Sequence, residues 1–459
     1  MKRQNSSGAL IPLVILGSLI YVPGLWLGPG KPTLHVEDVL ILMAAIYGVI
    51  WRPSVVRKAF ADSVFASFIW PYLGFVLWLA AVTWAGALAD FKEVFSSSGL
   101  FHTFSMFRGT CFVIVLLTFV RSVRDIEVLT TGLLALGAIQ MPILFCQKLD
   151  LLGINDWLSP RYSLIYESSI YSLKGFRTDG TFGNPNHAAV ALVPIMAMGY
   201  GYYLFKRKPR WKRVFAFMIA ASLLFSSVAW MRSRAGFGGM VAAIAALYVI
   251  FLRVHPKRAL LHVVLIGAAL AAITPLILSN GDDGDERFKV FSSRQALQDD
   301  YSVVARGEMW REGMRDLGND ILVGKGLGAY EAMGFFDSGY VSYVYAGGIV
   351  EVLLFLLLCV LPAIQAYRVC VRSSAMGLAP FLPAASCAIF GSMIVTAVSH
   401  PILFVDKLWL PYVTVIILGY LWTGLWKKAI VDGGRWTDDG QESRFVGRMD
   451  GGARRRERN

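Results

Sequence analysis

The sequence predicts an all-α integral membrane protein, and three observations predict it. Of its 459 residues, 56% are hydrophobic and only 16% charged, against roughly 45–50% and about 25% in an average soluble chain. The mean hydropathy is +0.55. The apolar residues gather in blocks of about 17–22 residues with almost no charge, each long enough as a helix to cross roughly 30 Å of hydrocarbon. This pattern excludes a soluble enzyme, a disordered chain and a disulfide-rich secreted domain. The shorter segments of alternating polarity that make a spanning β-barrel are not visible.

About twelve spans are expected, beginning near Gly8, Leu34, Ser63, His102, Ile126, His187, Val214, Ala235, Ala259, Tyr340, Leu378 and Leu408. Lys2 and Arg3 precede the first block as in a signal peptide, but no A-x-A site follows and further spans come after it. It is read as an uncleaved helix. Basic residues are retained on the cytoplasmic side of a membrane. With a cytoplasmic N-terminus, the inside segments hold Lys2/Arg3, Arg52/Arg57/Lys58, Arg121/Arg124, the run Lys206 to Arg213, Arg253/Lys257/Arg258 and Arg368/Arg372.

Residues 1–426 then form the membrane domain, and 427–459 a basic, Gly-rich cytoplasmic tail ending GGARRRERN. That composition reads as disordered and attracted to anionic headgroups. Both termini are placed in the cytoplasm. The net charge of +13 would suggest nucleic acid in a soluble chain. Here it belongs to membrane topology, so lipids rather than nucleic acid are the expected partners. The five cysteines lie in or beside apolar blocks without CxxC or metal-ligand spacing. No metal and no cofactor is expected.

Two outside segments are long, at about 147–186 and 279–339, and both are rich in Trp, Tyr and Gly. The second is expected to contain a helix around Arg311, closed by Gly318 and Asn319. No internal repeat is evident, which speaks against an inverted-repeat transporter. The acidic run Asp282 to Glu286 lacks an EF-hand pattern and reads as a solvated loop.

Several charged and polar residues stand out. Arg108 lies about two turns inside the fourth span, where a guanidinium either serves a site or snorkels to the interface. Arg232 and Arg234 occupy a tight outer turn with Ser233 and Gly236. Two planar, permanently charged donors there suit a phosphate or pyrophosphate, or anchor the turn to headgroup phosphates. Arg177 and Asp179 precede a turn of Gly180, Gly183, Asn184 and Pro185, with Asn186 expected as the N-cap of the sixth span. His187 beside it reads as a base or as structural. Arg306 and Trp310 stand one helical turn apart, followed by GKGLG, Gly324 to Gly328, which lacks P-loop spacing. Asp337 stands before the tenth span as a carboxylate at the outer surface, an N-cap or an ion partner. Glu351 inside that span is costly and is expected to pair with a membrane Arg. His400, Asp406 and Lys407 lie between the last two spans at the outer face.

In order and placement these pieces resemble the family of O-antigen ligases and Wzy-type polysaccharide polymerases. The matching elements are Gly180 to His187, Ser233/Arg234/Gly236, Arg306/Trp310 and Gly324/Gly326/Gly328, over roughly Arg177 to Gly348. The resemblance implies a fold related to the membrane-embedded C-type glycosyltransferases. It also implies metal-independent transfer of glycan from undecaprenyl pyrophosphate at the periplasmic face of the bacterial inner membrane, and it carries over Arg234 and Arg306 as pyrophosphate ligands. Where ligases show a His-Asn-type motif, this chain has Asp337-Ser338-Gly339-Tyr340, which looks more like a polymerase of exopolysaccharide or O-antigen. Glu351 replaces the small residue expected after GGIV. A Wzx-type flippase and a chain-length regulator are the partners the resemblance implies.

The chemistry so implied is attack of a sugar hydroxyl on an anomeric carbon whose leaving group is a lipid pyrophosphate. Arginines aimed at that leaving group lower the barrier. Arg177, Arg232 and Arg108 are expected to help bind substrate, with Asn186, His187, Trp310 and Asp406. Asp337 is the first candidate for the acceptor proton and Asp406 the second. Loop aromatics such as Trp157, Tyr162, Trp310 and Tyr330 either stack on sugars or anchor at the interface. The alternatives are a ligase acting on a lipid or protein acceptor, and a transporter of polysaccharide or lipid.

Overall fold

Long apolar blocks without charge fold as helices because each backbone polar group then finds its partner inside the same segment. The computed structural model describes residues 8–22, 25–26, 33–89, 97–162, 178–206, 210–260, 262, 301–333, 338–375, 379–431, 435–436 and 442–443. Its first six helices are α1 (Leu10–Tyr21), α2 (Val36–Trp51), α3 (Pro53–Ala61), α4 (Ser63–Ala89), α5 (Ser97–Phe119) and α6 (Val123–Leu149). There follow α7 (Ile154–Tyr162), α8 (Pro185–Phe205), α9 (Arg210–Ala229) and α10 (Arg234–Val254). The remainder are α11 (Tyr301–Leu317), α12 (Gly326–Met333), α13 (Gly339–Ala375), α14 (Phe381–Thr396) and α15 (Asp406–Val431). Two antiparallel pairs of two-residue strands join Leu25–Trp26 to Thr33–Leu34 and Arg435–Trp436 to Glu442–Ser443.

The protein is a multi-pass membrane protein. Among the described residues seven helices are long and apolar enough to cross a membrane, or eight if α2 and α3, bent by 89°, count as one span. The expectation of about twelve is not reached there. Leu10–Tyr21 and Phe381–Thr396 are apolar but shorter, and Phe107–Phe119 is the apolar described part of the 23-residue α5. A 12-residue helix rises only about 18 Å, short of roughly 30 Å of hydrocarbon. The span expected near Ala259 lies mostly outside the described residues, as does the run Asp282 to Glu286. The helix expected around Arg311 is α11, which gives way at Gly318 to a 3-10 turn. At the other end of the chain α15 runs on to Val431, past the boundary drawn at 426.

The bundle is greasy outward. Along α13 the exposed residues Ile349, Leu353, Leu357, Val360 and Ile364 recur at helical spacing, while Glu351, Phe355, Leu358 and Cys359 are buried. Water would penalise such a stripe, whereas lipid tails match it. The two central helices are α8 and α15, with 89% and 72% of their spanning windows buried. Both are apolar on all sides, as a helix surrounded by helices must be. Small residues set the approach distances: Gly236 of α10 lies directly on Ala189 of α8, and Gly239 lies against Thr396 of α14.

The antiparallel path through α8, α9 and α10 starts α8 and α10 at one end of the bundle. Contacts place the start of α13 and the turn before α15 at that same end. The Gly339 N–H donates to the Ala397 carbonyl (2.8 Å), and the His187 and His400 rings meet edge to face with centroids 5.5 Å apart. Basic residues bound the opposite ends of these helices, with Lys206 after α8, Arg210, Lys212 and Arg213 in α9, Arg253 in α10 and Arg368 and Arg372 in α13.

One long helix is broken. At Gly348 in α13 the backbone takes φ +73° and ψ −171°, a conformation that costs any residue with a Cβ. The carbonyls next to the break find outside donors. Trp78 Nε1 of α4 donates to the Gly347 carbonyl (2.7 Å), and the Lys325 N–H to that of Tyr345 (2.9 Å). The segment between α11 and α12 thereby seats on α4 and on the first part of α13, with the Leu327 N–H donating to Thr83 Oγ1 (3.1 Å).

Candidate functional site

The polar end of α8 is built from a turn that the sequence signals through Gly and Pro. Gly180 and Gly183 take positive φ, +59° and +71°. The intervening side chains are held by two amides seven residues apart on α6, hence on one helix face. Gln140 Nε2 donates to Thr181 Oγ1 (2.8 Å). Gln147 Nε2 donates to Asp179 Oδ1 (2.8 Å), and its Oε1 accepts from the Gly180 N–H (2.7 Å). A Cβ on Gly180 would collide with Gln140. The N-cap of α8 is Asn184, not Asn186: its Oδ1 accepts from the N–H groups of Asn186 (2.8 Å) and His187 (3.4 Å). The reason is Pro185, whose fixed φ suits the first helical position and puts the cap one residue before it.

The turn between α9 and α10 lies against this loop, through a Thr178 N–H to Trp230 carbonyl bond of 3.1 Å. Ser233 caps α10, accepting from the Gly236 N–H (3.2 Å), so Arg234 is the first helical residue and Arg232 the last of the turn. Arg232 adopts φ +48°, a left-handed conformation rare outside glycine and found disproportionately at functional sites. It stands close enough to Lys148 at the end of α6 for the two cations to repel. Ser338 caps α13, accepting from the Val341 N–H (3.4 Å).

The helix starts at this end are positive, while Asp179 in the adjoining turn brings one buried carboxylate. The starts of α8, α10 and α13 meet at one end of the bundle with neutral caps and no acidic residue in the first turn. By contrast, α2 and α6 carry Glu37, Asp38 and Asp125 there. A helix start is equivalent to about half a positive charge and presents unpaired N–H groups. Three such starts with Arg232, Arg234 and Lys148 make a setting for an anion.

The other residues singled out by sequence fall in different places. Arg177 and Asp337 lie outside the described residues. Asp406 begins α15, and its side chain lies outside them too. Arg306 and Trp310 do stand one turn apart on α11, which packs on α13. Trp310 packs against the core, and its indole N–H has no hydrogen-bond partner among the described residues. GKGLG is half turn, half helix, because α12 begins at Gly326.

Arg108 does not snorkel but is buried against α2. It is 4% exposed and its Nη1 is 2.7 Å from Asp38 Oδ1, while the His35 N–H donates to Asp38 Oδ2 (3.1 Å). Glu37 is buried beside them, 3.3 Å from His35 Nδ1. The segment His35 to Asp38 was legible as a helix start, but nothing in its spacing named Arg108 as its partner. The His187 and His400 contact likewise joins residues remote in sequence.

Away from this end, a small apolar groove is lined by Phe65, Pro362, Ser386, Ile417, Tyr420 and neighbours, none of them charged. Among the described residues no group of three or more His, Cys, Asp or Glu side chains is arranged to hold a metal ion.

The loop after α11 carries a titrating latch. Lys325 Nζ (2.9 Å) and Tyr345 Oη (2.6 Å) both donate to Asp316 Oδ2. These bonds, that from Lys325 first, hold the Asp316 carboxyl below its ordinary range. A depressed carboxylate stabilises the fold above its unfolded-state pKa and loses that contribution as pH falls through the folded value. Acidifying the detergent-solubilised protein from neutral pH is therefore expected to lower its thermal midpoint less in Asp316→Asn than in wild type. Identical slopes would show that the latch contributes nothing.

Comparison of the chain with models of known protein families and with curated proteins gives no match.

Proposed function

We propose that the protein is a membrane glycosyltransferase that polymerises undecaprenyl-pyrophosphate-linked oligosaccharide repeat units into exopolysaccharide or O-antigen. The observation that carries this reading is the meeting of three helix starts, neutral in their caps, with Arg232, Arg234 and Lys148 at one end of the bundle. A lipid-linked pyrophosphate brings its charge to the membrane surface, where such an end would receive it. The basic residues at the opposite ends of the same helices support a cytoplasmic reading of that side by the positive-inside preference. On this reading the anion setting would face the periplasm of the inner membrane.

In the reaction an acceptor hydroxyl oxygen bonds to the anomeric carbon as the bond from that carbon to the pyrophosphate breaks. The hydroxyl proton passes to a carboxylate, Asp337 first and Asp406 second, and the departing pyrophosphate keeps the electron pair. Arg234, with Arg232 and Arg306, stabilises the charge that grows on the leaving group. A single displacement inverts the anomeric configuration.

A second reading, a transporter, draws support from one observation: α13 is broken at Gly348 with the buried Glu351 beside it, and broken helices with buried charge mark many transporters. A deletion strain complemented with wild type, Arg234→Ala, Arg306→Ala or Asp337→Asn separates the possibilities when polysaccharide and lipid-linked intermediates are resolved by size. Accumulation of single lipid-linked repeat units with loss of long polymer is the expected result. Long lipid-linked polymer that never reaches a final acceptor would mean a ligase. Unchanged glycans in every strain would return the transporter.

A further inference from the structure

Among the described residues Glu351 is the least explained charge of the membrane domain. It has no exposure, and neither carboxyl oxygen has a hydrogen-bond partner among the described residues. The sequence leads one to expect a membrane arginine as its partner, but Arg108 is bonded to Asp38. The helices packed most extensively on α13 are α4 and α14, and neither sequence contains Asp, Glu, Lys or Arg. Helix α10 contributes Arg234 and Arg253, one at each of its ends. The loop seated on the outer part of α13 brings Lys325 and Asp316, which are bonded to each other, and Asp320. Tyr345 donates its hydroxyl to Asp316. On α13 itself Tyr340, Tyr343 and Cys359 are nearby; α11, which also packs on α13, carries Arg306, Glu308, Arg311, Glu312 and Arg315, and α12 carries Glu331, whose side chain lies outside the described residues.

The surroundings are shaped around this side chain. Glu351 is the third residue after the break at Gly348, in the first turn of the restarted helix, where the positive helix end eases the charged form without supplying a counter-ion. A Cβ on Gly347 would fall 2.6–2.9 Å from Glu351 Cβ, Cγ and Cδ, so only glycine leaves room for the carboxyl to fold back over the break. The Leu322 carbonyl comes up against Gly348 at the same place. A carboxylate beside backbone oxygens at a broken helix is the donor set that hard cations take. A lone buried carboxylate persists only if something neutralises it.

We propose that Glu351, at the break in α13, is the anionic ligand of a monovalent-cation site inside the membrane domain, filled by a proton or by sodium. The site is independent of the glycan reading, since it rests on burial and on the helix break alone. Because the break also separates the loop-bearing part of α13 from the rest of the span, occupancy ties the two parts together.

The test uses the full-length protein in detergent and dicyclohexylcarbodiimide, which activates protonated carboxyls in apolar surroundings, with labelled residues read by mass spectrometry across a pH series. Glu351 is expected to label at least tenfold more than the exposed Glu308 and Asp320 at the acid end, and to lose label as pH rises. Protection at fixed pH by sodium chloride but not by choline chloride identifies sodium as the occupant, and equal labelling in both salts identifies the proton. Labelling of Glu351 no greater than that of Glu308 at every pH overturns the site. In a second measurement Glu351→Gln, a neutral isostere, is expected to keep the wild-type thermal midpoint and to lose its dependence on sodium or pH. A midpoint many degrees lower would instead show that the carboxylate balances a cation of the protein itself.

Discussion

On the proposed polymerase reading, replacing Arg234 by alanine is expected to lower polymer formation by about 10²–10³-fold, the usual effect of deleting one fixed donor to a developing oxyanion. Protein levels in the membrane should hardly change. Arg234 is the first residue of α10, only partly buried, and the cap on that helix belongs to Ser233. Lysine in its place should restore only part of the activity, because an ammonium is a point charge without the bidentate donor fork. The neighbouring position gives an opposed pair of effects. Arg232 sits at φ +48°, so Arg232→Gly is expected to gain about 1 kcal/mol of stability by removing backbone strain while lowering activity. Residue-by-residue assay of polymer length in complemented strains, beside thermal midpoints of the purified variants, checks both. Wild-type polymer from Arg234→Ala would remove this turn from the chemistry.

The second large effect concerns stability. Breaking the Asp38–Arg108 pair from one side, as Asp38→Asn or Arg108→Ala, is expected to cost about 3–5 kcal/mol, since the remaining charge stays buried. Both side chains are about 5% exposed, at 2.7 Å, so solvent screens the loss little. Removing both partners together, as Asp38→Leu with Arg108→Met, should recover most of that cost, because replacing a buried pair by apolar groups is often neutral. Thermal unfolding of the wild type, Asp38→Leu, Arg108→Met and the double variant in one detergent gives the coupling directly. If the double variant is as unstable as the singles, the pair is not the reason for the burial.

These predictions lie on residues that sequence reading reached to different depths. The Arg232/Arg234 turn was legible because a Ser-Arg pair between two apolar blocks has nowhere to go but a short connection, and the structure places it there. The cap of α8 was misplaced by two residues, since Asn184 and Asn186 flank Pro185 and only the proline's fixed φ decides between them. Arg108 was legible as costly. Its partner was not, because Asp38 lies seventy positions away at a helix start that looks self-sufficient. Of the spans expected from hydropathy, seven or eight are found among the described residues, and the one near Ala259 falls mostly outside them.

The sequence by itself determined that this chain is a helical membrane protein, where most of its long spans begin, and which ends of them are basic. Those properties depend on composition along a single segment, and hydrocarbon imposes them segment by segment through backbone hydrogen bonding. Only the tertiary structure decided which polar residues meet: Gln147 with Asp179, His187 with His400, Asp38 with Arg108, and Glu351 with none among the described residues. Such pairings arise from how helices cross, and crossing is set by small residues such as Gly236 against Ala189 and by the break at Gly348. Packing couples segments far apart in the chain, so no local pattern records it.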